Sequence, residues 1–496
     1  MRERVLIASA NPWSFCMAVE RDFIRSSPDA EVDALDLFKL CSRASPHWRP
    51  RDKLIETINR KIDRFVVPLF SGRDITRELR VDGAGTPPLP ATYDSLRAYE
   101  LADSKVGLAT LSSASSLTTI QYPSDLREFG TVLGPAWRSA HRSLRIGEAV
   151  RALGYDRIVI FNGRHCYSRP FCDILEQGSE VVRYEQGAAG NRYIANAGSV
   201  HHPEPLVRII EGYAFDRHSG EAFFESRMAR HGSTEVAILT ATQRPGELPA
   251  RMEIGNAVTF FTSASDEMFA VTDDPLYGDF LTQHEIALAL SDACRAAGRQ
   301  LLVRLHPHLR FKHPAWKREW DFAELERRGV LVIDPDDPAD SYSMLRASRA
   351  VVTTGSTIGF EASYLGIPNA VVGTWLSGCL GASIVANSPE AIARFVAEPG
   401  LPPRARERAL LFGSFYRTGG KLLPELDVAT HPNLARIDGR IVDPVRYAAQ
   451  SLRFLLRPPN GDPHALDIKS GMQAGRVLLP PGTDYSSALK ARSTGL

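Results

Sequence analysis

Two short apolar runs constrain this 496-residue chain more than anything else in it. The first, Leu301-Leu302-Val303-Arg304-Leu305, stops at His306-Pro307-His308. The second, Ala350-Val351-Val352-Thr353-Thr354, runs into Gly355-Ser356-Thr357-Ile358-Gly359-Phe360-Glu361-Ala362. Short apolar and β-branched runs bounded by turn formers read as strands buried on both faces, the pattern of a parallel sheet covered by helices. In such open sheets ligands bind beyond the carboxyl ends of the strands. One of these ends carries a histidine among basic residues. The other is a Gly-Ser-Thr turn opening a helix, whose N–H groups and dipole suit an anion. Together they predict a phosphate site.

The same alternation extends along the chain. A strand over 4–9, a turn at Asn11-Pro12, a helix over 15–25 and a strand over 32–37 open a Rossmann-like half, without a GxGxxG fingerprint. Residues 71–135, with a Gly/Pro loop at 83–90 and a Ser/Thr-rich stretch at 108–119, read as an insertion that is helical in part. Helical spacing over 137–153, with Arg138, Arg142 and Arg145 on one face, leads to strands over 157–161 and 180–184. These strands end at Asn162-Gly163-Arg164 and Glu185-Gln186-Gly187. A helix is expected over 220–231 and the domain linker near Arg244-Pro245-Gly246. Strands over 257–261, 300–305, 330–333, 350–353 and 369–372, with helices over 283–297, 340–347 and 357–365, make a second doubly wound domain. The expected fold is therefore α/β with two Rossmann-like domains, 1–245 and 246–425. An extension over 426–496 follows, holding a helix at 444–456 and a Pro/Gly/Ser-rich loose tail over 458–496.

With 59 basic and 58 acidic residues the net charge is +1, which gives no support for nucleic-acid binding. Six cysteines without CxxC or finger spacing point to reduced thiols and a cytoplasmic setting. No run approaches the ~20 apolar residues of a membrane span, and residues 1–24 lack a signal-peptide pattern. Arg404, Arg406 and Arg408 either touch anionic lipid or form a solvated charged face.

The candidate site residues follow from chemistry. If Thr357 caps the second helix, a capping box needs Glu or Gln at 360, which is Phe. Glu361 lies four residues beyond Thr357, on the same face one turn deeper, where it can accept hydrogen bonds from ribose hydroxyls. The alternative is a first-turn acid favoured by the helix dipole. His306, His308 and His313 invite a metal, but Arg304, Arg310 and Lys312 surround them and favour an anion. No metal ligand set is expected. In the first half, Glu185 is either a general base or the salt-bridge partner of Arg164.

At these residues the chain resembles bacterial capsular polysaccharide biosynthesis proteins of the GT-B glycosyltransferase fold, related to the capsule Kdo transferases and more distantly to the teichoic-acid glycerophosphate polymerases. The resemblance rests on Phe161-Asn162-Gly163-Arg164 with Tyr184-Glu185-Gln186-Gly187, and on Phe260-Phe261-Thr262-Ser263 with Asp266-Glu267. It continues through Arg304-Leu305-His306-Pro307, Asp340-Ser341-Tyr342 and the 355–362 segment with Gly366-Ile367-Pro368, spanning 157–373. It implies two Rossmann-like domains facing a central cleft, the first for acceptor and the second for a nucleotide-sugar donor. Ser263, Arg304, His306, Pro307, Gly355, Ser356, Thr357 and Glu361 would bind the donor, Asn162 and Arg164 would line the acceptor side, and Glu185 and His306 would be catalytic. The implied activity is an inverting, metal-independent glycosyltransferase acting on a surface or capsular glycan or glycolipid, with a CMP-sugar favoured and no cofactor beyond the donor. Peripheral association with the inner membrane or capsule assembly machinery is compatible with it. The alternatives are an alditol-phosphate transferase of the CDP-glycerol type, a non-catalytic assembly factor of the same fold and, ranked lower, a nucleotide-sugar epimerase.

Overall fold

Seven strands form the first sheet, the first six being β1 (Arg4–Ala8), β2 (Glu31–Leu35), β3 (Arg73–Asp74), β4 (Arg157–Phe161), β5 (Glu180–Gln186) and β6 (Arg192–Asn196). Their order is β6-β5-β4-β1-β2-β3, parallel except for β6. Val5, Ile7, Val159, Phe161 and Tyr184 pack with Cys16, Met17 and Val19 of the helix Ser14–Ser26. Leu6, Ile158 and Ile160 point to the other face and are equally buried. The computed structural model describes residues 2–10, 14–41, 73–79, 81, 85–120, 123–188, 190–198, 202–229, 239–264, 276–427, 436–437 and 440–441. The Asp266-Glu267 pair, the expected helix at 444–456 and the tail over 458–496 lie outside these residues.

The second sheet holds β7 (Ala257–Phe261), β8 (Gln300–Arg304), β9 (Leu331–Ile333), β10 (Ala350–Thr353), β11 (Asn369–Val371) and β12 (Ile384–Val385). All are parallel in the order β9-β8-β7-β10-β11-β12. This is the Rossmann order, in which direction reverses between the first and fourth strands of the set. Val258, Phe260, Leu301, Val303 and Val352 face one core with Ile286 and Leu290, while Ala257, Phe261, Leu302 and Val351 face another with Leu345, Ile358 and Ala362. Burial on both faces is why these strands read as unbroken apolar runs. A further strand, β13 (Lys421–Leu422), returns to the first sheet antiparallel to β6. The two Rossmann-like doubly wound halves expected from the sequence are both present.

Boundaries shift in instructive ways. β5 continues to Gln186, so Glu185 lies within the strand opposite Ile194 of β6, a partner the sequence had not suggested. The compact units divide at 200/201 and 419/420, whereas the expected linker was near 245. Residues 202–229 and 239–245 go with the second unit, in which the helix Arg217–Met228 packs on the helix Ala405–Thr418. That packing is close. A Cβ on Gly220 would lie 2.5 Å from the Leu410 carbonyl oxygen, and one on Gly413 would lie 2.9 Å from that of Gly220. The 71–135 stretch holds the helices Tyr93–Arg97 and Val106–Thr118, and its Arg73–Asp74 joins the first sheet as β3.

Candidate functional site

Register places the site. Phe261 of β7 lies opposite Arg304 of β8 on one side and Thr353 of β10 on the other. Thr262-Ser263, Leu305-His306 and Thr354-Gly355 therefore leave the sheet side by side, at the point where strand order reverses. Hydrogen bonds tie these ends together. Thr262 Oγ1 accepts the His306 N–H at 2.9 Å, and the Ser263 hydroxyl donates to the Thr354 carbonyl. Gln283, the first residue of the helix Gln283–Ala296, accepts the Ser263 N–H at 2.8 Å and the Thr354 hydroxyl at 2.8 Å. Ser263 is thus a structural tie at the rim.

His306 is half-buried and caps the short turn Pro307–Phe311, its Nδ1 accepting the His308 N–H at 3.2 Å. Burial, then the positive neighbours His308, Lys312 and Arg304, push its pKa down to about 3. At neutral pH the ring is neutral, and because Nδ1 accepts, its one hydrogen sits on Nε2. His306 therefore offers a fixed, neutral N–H donor. Pro307, buried at the first position of the turn, stiffens that arrangement.

Arg304 has a different role from the one expected. Only 1% exposed, it donates to the carbonyls of Asp334 and, at 3.3 Å, Asp337, and so fastens the loop after β9. Its position inside β8, one residue short of the rim, points it into the interior.

The 355–361 segment is built as the sequence suggested, with one difference. Gly355 turns the chain with φ of 86°, and Ser356 Oγ accepts the Ile358 N–H at 3.3 Å. Thr357 sits at the start of the helix Ile358–Leu365 but has helical backbone angles and makes no side-chain cap. Its Oγ1 instead accepts from Arg227 Nη2 at 3.0 Å, while Arg227 Nε donates to Glu361 Oε1 at 2.7 Å. The Tyr342 hydroxyl reaches the same carboxylate oxygen at 3.4 Å. Glu361 is 1% exposed, a buried carboxylate facing a guanidinium. Sequence reasoning missed Arg227. Its signal was a charge on the face of the helix that buries Gly220 and Phe224, at i, i+4 and i+7 spacing.

Glu319 is joined to the strand-end ties through Gln283, its carboxylate accepting the Gln283 N–H at 2.6 Å. Burial pushes its pKa up to about 7 from an ordinary 4.5. The folded state then binds the proton more tightly than the unfolded chain, so stability falls as pH rises from about 4.5 to about 7. Glu319→Gln is expected to raise stability by ~1–3 kcal/mol at pH 8 and to change it little at pH 4.5, as read by thermal unfolding at both.

In the first unit, the Asn162 amide donates to Glu185 Oε2 at 2.6 Å, and Asn162 Oδ1 accepts the Arg164 N–H at 3.2 Å. Asn162 takes a left-handed φ of 65°, which asparagine tolerates, and this turns its side chain back toward β5. Asn162, Arg164 and Glu185 are thus neighbours at the carboxyl edge of β4 and β5. The basic cluster near 405 is engaged with its own surface. Arg404 pairs with Glu407, Arg408 with Glu211, and Arg406 lies over the Tyr364 ring. Among the described residues no group of three His, Cys, Asp or Glu could hold a metal, and no helix is long and apolar enough to cross a membrane.

No family model matches the sequence, and no curated protein matches it. Solved structures do. The chain is similar to the beta Kdo 2,4 transferase of Thermosulfurimonas dismutans KpsC at 14% identity and a TM-score of 0.31, over 53% of this chain and 79% of that one. The beta Kdo 2,7 transferase of the same KpsC matches at 13% identity and 0.33, over 62% and 89%. A putative UDP-N-acetylglucosamine 2-epimerase from Listeria monocytogenes matches at 11% and 0.26, over 82% and 94%. At these values the fold rests on the two strand orders described above, and the chemistry on the site itself.

Proposed function

We propose that this chain is a glycosyltransferase that binds a nucleotide-activated sugar, a CMP-sugar by preference, at the carboxyl edge of the second sheet. The observation that carries the reading is the alignment of three neighbouring strand ends at the reversal point, which sets the His306 donor and the Gly355–Thr357 turn on either side of the end of β7. Charge develops on the leaving nucleotide phosphate as the glycosidic bond breaks. A fixed neutral N–H donor and a helix start are suited to stabilising that charge, since neither needs to reorganise during the step. No metal is required by this scheme. Glu185, held by Asn162, is the candidate to take the acceptor proton, giving attack on the anomeric carbon with inversion. The acceptor would be a surface or capsular glycan or glycolipid, met at the cytoplasmic side.

Thermal unfolding with CMP, CDP, UMP, UDP and GDP tests the donor site. A ligand at 100 times its Kd stabilises by about 2.7 kcal/mol, a shift of a few degrees. A shift with a cytidine nucleotide is expected. Selectivity for UDP would keep the site and change the donor, whereas no shift with any nucleotide would sink the reading. Product analysis then separates sugar transfer from alditol-phosphate transfer, using CMP-sugars against CDP-glycerol.

A further inference from the structure

A threonine hydroxyl that accepts from a guanidinium keeps its own hydrogen to donate elsewhere. Thr357 is in that state. Its oxygen takes the Arg227 Nη2 hydrogen, and with φ −59° and ψ −17° its side chain caps no helix N–H. The same guanidinium holds Glu361, so one fork spans the first turn of the helix. Arg227 itself is brought there from a distant helix, through the Gly220–Leu410 contact and the stacking of Phe224 on Tyr364 at 4.7 Å. Here the second nitrogen is directed at the residue that opens the anion-facing turn.

We propose that Arg227 is a positioning residue of this site, turning the Thr357 hydroxyl into a hydrogen-bond donor toward a nucleotide phosphate while fixing the Glu361 carboxylate. This rests on the nucleotide-donor reading above. Lysine cannot replace it, because an ammonium is a point charge and lacks the fork that reaches two acceptors in one plane.

The test is calorimetric titration of the full chain with CMP, CDP, UMP, UDP and GDP, each paired with its nucleoside. For the nucleotide that binds, the affinity ratio of nucleotide to nucleoside measures the phosphate contribution. Arg227→Lys and Arg227→Gln are expected to lower that ratio by about ten-fold or more, the worth of one hydrogen bond to a charged group. Thr357→Val leaves the Arg227–Glu361 pair in place, so it tests the idea in a chain that keeps its buried charges matched. It should lower the ratio similarly, and adding Arg227→Gln to it should lower the ratio little further, since both act through one hydroxyl. Unchanged ratios in Arg227→Lys and Thr357→Val, or additive losses in the double variant, overturn the proposal and leave the donor site standing. Failure of the unaltered chain to bind any of these nucleotides overturns both.

Discussion

Replacing His306 by alanine is expected to lower turnover in the proposed transfer by about 10²–10³-fold, the usual effect of removing one preorganised donor from a developing oxyanion. The cost to folding should be far smaller. The imidazole accepts one backbone N–H, from His308, in the manner of a helix cap. Losing such a cap costs ~1 kcal/mol. The depressed pKa adds a pH signature. The free protein carries His306 neutral down to about 3, so the profile of kcat/KM should show no limb near 6.5 from this residue. Steady-state rates and urea unfolding of the same preparation separate the two effects. Unchanged turnover in a folded His306→Ala protein would remove His306 from the mechanism.

Gly355→Ala should destabilise the second unit by ~2–5 kcal/mol, combining a left-handed backbone penalty with overpacking. Its φ is 86°, and a Cβ there would lie 2.3 Å from the Trp375 ring. The ring is held in place, since its Nε1 donates to the Val372 carbonyl at 2.9 Å. Gly366 provides the control. It has φ of 73°, but a methyl added there would meet nothing within 4 Å, so Gly366→Ala should cost only the backbone penalty of ~1 kcal/mol. Urea midpoints of the two variants give the clash by difference. Equal destabilisation would mean that Trp375 moves aside freely, and the turn would then be less rigid than the site requires.

Both sheets were legible because their strands are buried on two faces. Ala257–Phe261, Gln300–Arg304 and Ala350–Thr353 have no solvated side to interrupt the apolar run, and a run of that kind ending in Gly, Pro or Ser announces both the strand and its rim. Edge elements were not legible. β6 and β13 pair antiparallel at the margin of the first sheet, where incompletely covered faces demand little of the residues.

That His306 follows a buried strand, and that Ser356, Thr357 and Glu361 lie on the turn and helix after another, could be read from the chain alone, because local turn chemistry and helix spacing are written in neighbouring residues. What each of these side chains touches depends on packing across the fold. Arg304 faces inward to the carbonyls of Asp334 and Asp337, Ser263 ties two strand ends together, and Arg227 reaches Thr357 and Glu361 from 130 and 134 residues away. A charged side chain buried in a fold must find its partners wherever packing brings them, and that distance in sequence carries no local mark.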